Sequence, residues 1–402
     1  MFKKSLVSFF EEFLYEGSLF ADRGILSSSY TPETVYHRDL EINKIASILA
    51  PALKQEKPSN LFVFGNTGTG KTLTVKHIID NMNDVSKNKN IPLKIIYTNC
   101  KLKKVADTEY RLIAQLASFF GKSIPPTGLP TGEIYKIFYD AVEKEKCVVL
   151  LVLDEIDQLV KKTGDSVLYN LTRINEELKN SQITIIGISN NITLIENIDA
   201  RAKSSLSEEN VFFSPYNALE LQKILKERES KAFKENVIEQ GVIEKCAAYA
   251  AREQGDARKA IELLRVSGEV AERSKNKTIS TEHIDEAEEK LEREKIFDII
   301  KTQPKQFQAV LFSIVSSKNK NLSIHTGELY DFYKKICFKI GLRPLTQRRV
   351  SDIIREFEVI GIINTKTISK GRYGRTREIN LSVQSSVLPL TKKILEEELA
   401  LV

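Results

Sequence analysis

The nine residues "FGNTGTGKT", from Phe64 to Thr72, constrain the fold more than any other part of the sequence. They follow an apolar run that begins at Leu61 and lead into a stretch with the apolar spacing of a helix. A glycine-rich loop between a strand and a helix can wrap backbone N–H groups around a phosphate at the positive end of the helix. A plain glycine-rich turn is the alternative, but it would not need these flanks. The predicted phosphate-binding residues are Gly65, Asn66, Thr67, Gly68, Thr69, Gly70, Lys71 and Thr72.

An acidic pair, Asp154 and Glu155, follows the apolar run from Cys147 to Leu153, which predicts a buried parallel strand. Lys71 is expected to neutralise the β- and γ-phosphates, while Thr72 and Asp154 are expected to ligate Mg²⁺. Glu155 is then placed to polarise an attacking water. An acidic pair after a strand is a weak signal alone. Together with the phosphate loop it predicts a nucleoside triphosphate site.

Three further polar residues are candidates for the same site. The apolar stretch "QITIIGISNN" ends in Asn190 and Asn191, of which Asn190 is the candidate, because ligands bind at the carboxyl ends of strands in open α/β sheets; an ordinary Asn turn is the alternative. Arg201, in "IDARAKSSL", follows a predicted turn and is either surface charge or a residue that reaches the γ-phosphate of a neighbouring molecule. Arg258 lies near the start of a predicted helix, where it either reaches back to the γ-phosphate or is solvated.

Positive charge is concentrated in the last quarter of the chain. From Lys295 to Val402 there are 19 Lys and Arg against 10 Asp and Glu, a net charge of +9, which leaves −3 for the rest of the chain. A basic C-terminal unit on a nearly neutral body predicts a polyanionic partner, although a merely soluble basic surface stays the alternative.

The same basic region has the pattern of a winged helix. Three stretches with helical apolar spacing are followed by two β-rich runs around a glycine-bearing turn. The third stretch has Thr346 as its predicted N-cap and presents Gln347, Arg348 and Arg349 to base edges. The tip of the predicted hairpin carries no acid and is expected to contact a minor groove, unless it is only solvated. Its candidate DNA-contacting residues are Lys370, Arg372, Tyr373, Arg375 and Arg377.

Between the strand "LKIIYTNC" and Asp154, two amphipathic helices are predicted on either side of a loop from Gly121 to Gly132. A plain crossover between parallel strands explains them equally well.

The four cysteines form no CxxC pair, so neither a disulfide framework nor a zinc module is indicated, and a reducing compartment is expected. No uncharged apolar run approaches the ~18 residues of a membrane span, so no membrane partner is expected.

The order of these motifs resembles the AAA+ ATPases. More closely, it resembles the archaeal origin-recognition and replication-initiator family, relatives of the eukaryotic origin recognition complex subunits and their cell-division-cycle helicase loader. The segments that carry the resemblance are "YTPETVYHRDLEI", "GNTGTGKT", "VLLVLDEID", "IIGISNN", "IDARAKSSL" and "GDARKAIELLR".

The resemblance assigns roles to the candidate residues. It implies bound ATP or ADP with Mg²⁺. His37 and Arg38 would belong to the segment that borders the adenine, and Tyr216 would also contact the nucleotide. Asn190 would be the sensor-1 residue, Arg201 the arginine finger and Arg258 the sensor-2 residue of the lid. In that family the helical insert touches the DNA backbone, here through the residues Lys122, Ser123 and Thr127.

The sequence therefore predicts an α/β protein in three parts: an AAA+ nucleotide-binding base at residues 1–213, a helical lid at 214–294, and a winged-helix DNA-binding domain at 295–402. The resemblance implies ATP-dependent recognition of double-stranded origin DNA and loading of the replicative MCM helicase, with slow ATP hydrolysis as a switch. The expected protein partners are a paralogous initiator or a second copy of the chain. The expected location is the cytoplasm, in association with the nucleoid.

Two other functions fit parts of the sequence. A clamp-loader subunit shares the ATPase core, but it ends in a helical collar, which the basic hairpin argues against. A nucleotide-locked DNA-binding regulator or paralogue, which modulates initiation without turnover, stays open.

Overall fold

The computed structural model describes residues 17–27, 30–101, 108–125, 127–194, 198–199, 203, 206, 208–317, 324–369, 375–382 and 387–401. The described chain divides into two compact units. The first extends up to Gly268 and includes Lys275–Ser280; the second comprises Glu269–Ser274 and Thr281 onward.

A five-stranded parallel sheet forms the centre of the first unit in the described chain. The strands are β1 (Asn60–Gly65), β2 (Leu93–Asn99), β3 (Val148–Asp154), β4 (Gln182–Ser189) and β5 (Glu208–Phe213). Their order in the sheet is β2-β3-β4-β1-β5, and every neighbouring pair is parallel. The predicted strands are confirmed, including the buried run before the acidic pair.

Helices cover both faces of this sheet, because parallel strands need crossover connections. They are α1 (Asp39–Leu49), α2 (Lys71–Lys89), α3 (Glu109–Ser118), α4 (Thr131–Glu143), α5 (Ile156–Thr163) and α6 (Ser166–Glu177). Successive strand residues point to opposite faces, so Phe62 packs on the side of α3 to α6 while Leu61 and Val63 pack on the side of α1 and α2. A Cβ at Gly187 would lie 2.7 Å from the Phe62 ring, so this glycine permits the close packing.

The two helices of the predicted insert, α3 and α4, are present. The second begins at Thr131, so Gly132 lies inside it and the connecting loop, residues 119–130, lies two positions earlier than expected. On its inner face Tyr135 is buried, whereas Ile137 is only half-buried. The helix starts directly after Pro130, its N-cap residue.

Three helices follow the sheet in the first unit's sequence: α7 (Ala218–Ala232), α8 (Val242–Arg252) and α9 (Ala257–Arg273). The first of them begins with a capping box in which Asn217 accepts a hydrogen bond from the Glu220 N–H, while the Glu220 side chain accepts from the Asn217 N–H. The predicted helical character of this region is confirmed.

The second unit combines helices with a small antiparallel sheet. Its elements are α10 (Thr281–Thr302), α11 (Lys305–Ser317), β6 (Ile324–His325), α12 (Thr326–Lys339), α13 (Gln347–Ile360), β7 (Ile363–Ser369), β8 (Arg375–Leu381) and α14 (Leu388–Glu398). The predicted three helices and hairpin are α11, α12, α13 and the β7–β8 pair. The sequence did not predict β6, which pairs with β8, or the terminal helix α14.

The predicted apolar face of α13 is buried in the core of this unit. Val350, Ile353, Ile354 and Phe357 are each at most 2% exposed. Phe357 contacts Phe307 edge-to-face, and loss of a buried Phe side chain costs about 3–5 kcal/mol, so this residue fixes α13 firmly.

Helix α10 continues through the predicted boundary at residues 294–295, and the three domain bounds stay predictions. None of the helices in the described ranges combines the length and apolar composition needed to cross a bilayer.

Candidate functional site

The glycine-rich loop lies between β1 and α2, as predicted. Gly68 and Gly70 adopt left-handed φ values of +73° and +90°, which residues with a Cβ rarely adopt. A Cβ on Gly68 would collide with the Asp256 carboxylate, and a Cβ on Gly70 would lie 2.6 Å from the Tyr216 hydroxyl oxygen. The Asp256 carboxylate and the Tyr216 hydroxyl therefore lie close to the backbone of the loop, and glycine is required at both positions.

Lys71 begins α2 and is only 5% exposed. Its Nζ donates hydrogen bonds to the carbonyl oxygens of Gly65 at 2.8 Å and Asn66 at 2.6 Å. Burial, followed by the nearby positive charge of Arg258, lowers the pKa of Lys71 to about 8. A cation held among carbonyl oxygens at the start of a helix fits the binding of a phosphate chain.

Asp154 ends β3 and accepts hydrogen bonds from three groups. The Thr72 hydroxyl lies 3.1 Å from Oδ2, the Tyr97 hydroxyl lies 2.5 Å from Oδ2, and the Glu155 N–H donates to Oδ1 at 2.9 Å. Burial, together with the hydrogen bond to Asp154, raises the pKa of Tyr97, so its phenol stays protonated and donates. Neighbouring oxygen ligands in an octahedral Mg²⁺ site lie about 3 Å apart, so the Thr72 hydroxyl and Asp154 carboxylate fit the predicted metal ligands.

Glu155 and Asn190 lie at the same edge of the sheet, where β3 and β4 end. Glu155 has a left-handed φ of 54° at the turn into α5, and its carboxylate is 3.6 Å from Lys101 Nζ. The N–H of Asn190 donates to Asp157 Oδ1 at 3.3 Å, and the residue is exposed. Parallel strands bring their carboxyl ends together, which is why residues 35 positions apart in sequence meet here.

A cavity of about 1040 Å³ in the first unit connects most of these residues. Its lining includes the loop from Thr67 to Thr72, together with Asp154, Glu155, Asn190, Tyr216 and Arg258. A site of this size accommodates a nucleotide, since ligand pockets range over about 300–1,000 Å³. The predicted residues are thus brought together, and their individual roles stay predictions.

Arg38, predicted at the adenine, lies behind the cavity wall. It is 3% exposed, its Nε donates to the Thr69 carbonyl at 3.0 Å, and its guanidinium lies 3.9 Å from the centre of the Tyr216 ring. Val35 and Tyr36 line the cavity, whereas His37 is not part of the lining. Arg38 therefore supports the phosphate loop from outside.

The far end of the cavity contains residues that sequence reasoning missed. Arg228 of α7 is 5% exposed, donates to the Ile25 carbonyl at 2.8 Å, and lies 4.3 Å from the centre of the Tyr30 ring. Burial lowers the pKa of Arg228. No motif marks these residues, because the chain brings them together only after folding.

The start of α9 contacts the phosphate loop directly. The Ala257 N–H donates to the Gly68 carbonyl at 3.1 Å. Asp256 caps the helix, since its Oδ1 accepts from the Arg258 N–H at 2.8 Å. These two contacts place the exposed residue Arg258 at the cavity, consistent with its predicted position near the γ-phosphate.

In the second unit, Gln347, Arg348 and Arg349 are exposed in the first turn of α13. Thr346 caps this helix, as predicted, by accepting a hydrogen bond from the Arg349 N–H at 3.4 Å. Arg349 also lies 4.0 Å from Glu356, an exposed ion pair of small energetic weight. The first turn of α13 thus presents three side chains suited to base edges.

A polar network fixes the loop that leads into α13. The Leu345 N–H donates to the Tyr333 hydroxyl at 3.1 Å, and that hydroxyl donates to Gln306 Oε1. Gln306 Nε2 donates to the Arg343 carbonyl at 3.0 Å, and the Tyr330 hydroxyl donates to the Leu345 carbonyl at 3.0 Å. The direction of α13 is therefore set by hydrogen bonds as well as by its apolar face.

The remaining candidates fall into three groups. Arg201, Lys370, Arg372 and Tyr373 lie outside the described residues, as does the Arg375 side chain. Arg377 is half-buried in β8, and its Nη1 has no hydrogen-bond partner within the described ranges. Ser123 and Thr127 are exposed in the loop between α3 and α4, and Lys122 is partly exposed there.

Comparison with known proteins identifies the family. Residues 54–194 match the AAA domain model, 222–289 the Cdc6 AAA+ ATPase-type lid domain, and 298–388 the C-terminal winged helix domain of CDC6. An ORC1-type DNA replication protein of Pyrococcus abyssi is 48% identical over 93% of this chain and 90% of its own length. The chain belongs to the ORC1-type DNA replication protein family.

Two other ORC1-type proteins are also similar to this chain over nearly its whole length. One from Archaeoglobus fulgidus is 45% identical over 98% of this chain and 94% of its own length. The structure of the Aeropyrum pernix ORC1 protein in complex with DNA is 38% identical, with a TM-score of 0.81 over 95% of this chain and 98% of that one. The predicted AAA+ base, helical lid and winged helix are confirmed.

The contact between Gly68 and Asp256 predicts the effect of Gly68→Ala in this ORC1-type protein. We expect the free energy of unfolding to fall by about 3 kcal/mol, because a left-handed alanine costs about 1–2 kcal/mol and the added methyl group overpacks the site. Nucleotide affinity should fall as well, since α9 can no longer contact the loop. Chemical denaturation and titration with fluorescent ADP measure the two effects.

Gly164→Ala is the matched control, because Gly164 has a φ of +80° and a Cβ added there would have no atom within 4 Å. Its free energy of unfolding should fall only by the cost of a left-handed alanine, about 1–2 kcal/mol, and its nucleotide affinity should stay unchanged. If both variants lost the same unfolding free energy and the same nucleotide affinity, the contact between Gly68 and Asp256 would be contradicted.

Proposed function

We propose that this ORC1-type protein recognises double-stranded replication-origin DNA in an ATP-dependent manner and loads the replicative MCM helicase there. The observation that carries the ATP dependence in this proposal is the contact between the phosphate loop and the start of α9, through the Gly68 carbonyl and the Ala257 N–H. A ligand bound at the loop acts directly on the helix that carries Arg258. Such an arrangement couples the nucleotide to the position of the lid.

In the proposed site, Lys71 and the N–H groups of the loop bind the phosphates of ATP or ADP. Thr72 and Asp154 would hold Mg²⁺, which would neutralise charge on the β- and γ-phosphates. Glu155 orients a water for attack, and Asn190 lies beside it at the strand edge. The Thr72–Asp154 contact at 3.1 Å supports this assignment of the metal ligands.

We infer that hydrolysis is slow and acts as a switch. By resemblance, Arg201 would act on the nucleotide of a neighbouring molecule, either a second copy or a paralogue. An arginine finger contributes about 10³–10⁵ in rate, so a single molecule turns over slowly.

DNA recognition is assigned to the second unit. The first turn of α13 presents Gln347, Arg348 and Arg349, and the hairpin carries Arg377, one of whose guanidinium nitrogens has no partner within the described ranges. The relative from Aeropyrum pernix was solved in complex with DNA, which supports the assignment. The exposed loop with Lys122, Ser123 and Thr127 is proposed to add contacts to the DNA backbone. The helicase partner and association with the nucleoid rest on the family resemblance.

One alternative has support from a specific contact. The ion pair between Lys101 and Glu155 favours a regulator that binds nucleotide and DNA without turnover. Absence of ATP hydrolysis in the presence of origin DNA and a paralogue would favour that alternative over the switch.

Lys71→Ala tests the nucleotide site. We expect ATP affinity to fall about 100-fold or more, because charge-assisted hydrogen bonds contribute about 1.5–3 kcal/mol each. DNA binding measured without nucleotide should stay close to that of the wild type, since Gln347, Arg348 and Arg349 lie in the second unit, whereas any gain in DNA affinity on adding ATP should be lost. Lys87→Ala, an exposed lysine on the same helix, is the control and should bind ATP normally. Normal ATP binding by Lys71→Ala would contradict the site.

The double variant Arg348→Ala with Arg349→Ala tests the DNA-binding surface. Each lost base contact costs about 1–3 kcal/mol, and each lost phosphate contact lowers the salt dependence by about one unit of slope. Affinity for specific DNA, measured by fluorescence anisotropy across several salt concentrations, should therefore fall at least tenfold. Arg293→Ala, an exposed arginine on α10, is the control. An unchanged affinity and slope in the double variant would remove α13 from the interface.

A further inference from the structure

Asp154 is held by a tyrosine that no motif marks. The Tyr97 hydroxyl lies 2.5 Å from Asp154 Oδ2, closer than the Thr72 hydroxyl at 3.1 Å. Hydrogen bonds to a carboxylate are shorter and stronger than those between neutral groups. Tyr97 therefore makes the shortest of the hydrogen bonds described for this carboxylate.

Tyr97 is itself held by two further contacts. Its backbone pairs with Val152 in the β2–β3 ladder, two residues before Asn99 pairs with Asp154. The Lys76 ammonium of α2 lies 4.6 Å from the centre of its ring. Lys76 follows Thr72 by one helical turn, so the same helix provides a metal ligand and the cation that covers the ring. Tyr97 thus connects β2, β3 and α2 at one point.

The ring of Tyr97 does not belong to the apolar core alone. It is partly buried and lines the 1040 Å³ cavity with Thr72 and Asp154. A phenylalanine could fill the same space and pack against the same neighbours. The hydroxyl is therefore the part of the side chain that needs an explanation.

We propose that Tyr97 is a positioning residue, whose hydroxyl orients the Asp154 carboxylate for Mg²⁺ in the nucleotide complex. This inference rests on the proposed nucleotide-binding function. Oδ1 accepts from the Glu155 N–H, and Oδ2 accepts from Tyr97 and Thr72, so the plane of the carboxylate is defined on both sides. Without the phenol, Oδ2 keeps only the longer bond to Thr72, and the carboxylate can rotate away from the cation position.

Tyr97→Phe tests the proposal in the full-length protein, with fluorescent (mant) ADP as the probe. Loss of a partner that orients a metal ligand typically costs about 10–100-fold in metal affinity. The Mg²⁺ concentration that gives half of the Mg²⁺-dependent gain in ADP affinity should therefore rise about 10–100-fold. Affinity for ADP in EDTA should not change, because Lys71 and the loop amides are intact. A purely structural role would move both affinities together.

Tyr135→Phe is the matched control. Tyr135 is a buried tyrosine of the same unit, and its hydroxyl donates to Glu109 Oε1 at 2.7 Å, away from the cavity lining. Its loss removes one tyrosine–carboxylate hydrogen bond and should leave the Mg²⁺ dependence at the wild-type value.

Two outcomes would overturn the inference, and a third would overturn the function on which it rests. Tyr97→Phe with wild-type Mg²⁺ dependence would show that the hydroxyl does not position Asp154. An equal loss of ADP affinity with and without Mg²⁺ would show a structural role only. Failure of the wild-type protein to bind ADP under either condition would instead contradict the proposed function on which the inference depends.

Discussion

The close approach of the phosphate loop to the start of helix α9 is the constraint on which the first unit depends. The loop can meet α9 only because Gly68 has no side chain, and the Ala257 N–H then donates to the Gly68 carbonyl at 3.1 Å. Arg38 supports the loop from another side by donating to the Thr69 carbonyl. The loop is therefore held by its surroundings as well as by its own sequence. A ligand that changes the loop must also act on the helix that carries Arg258.

The parallel sheet provides the second requirement, a common edge for polar residues. Strands β2, β3 and β4 end side by side, which brings Asn99, Asp154 and Asn190 to one edge. Strands β3 and β4 are apolar and buried on both faces, so their ionisable groups are restricted to this edge. The apolar residues of each strand thus pack in the core, whereas the last residue of the strand, or the one after it, contributes a polar side chain to the site.

The central strands and the phosphate loop could be predicted because their local sequence is distinctive. A buried parallel strand is a continuous apolar run, and glycines at fixed spacing before Lys71 and Thr72 have few other uses. Strand β5 was not predicted, because it lies at the edge of the sheet and begins with Glu208 and Glu209, which resemble a loop. The two-residue strand β6 is too short to produce a pattern.

The residues missed at the site share a different cause. Tyr97 has the composition of an ordinary strand residue, and its importance comes from the Asp154 carboxylate that the neighbouring strand places beside it. Arg228 contacts Ile25 and Tyr30, and Ile25 lies 203 positions earlier in the sequence. No local sequence pattern encodes such a contact. Arg38 was predicted as part of the segment that borders the adenine, and its contacts with two backbone carbonyls and the Tyr216 ring could not be read from the sequence; its role toward a nucleotide stays a prediction.

Capture of genomic DNA is the most direct test of origin recognition. The full-length protein is incubated with ATP and sheared DNA from its own source organism at near-physiological salt, and the retained fragments are sequenced. An origin-recognition protein is predicted to enrich a small number of intergenic sites, since specific affinity typically exceeds non-specific affinity by about 10³–10⁷. Uniform retention across the genome would contradict sequence-specific recognition and would leave only contacts to phosphate.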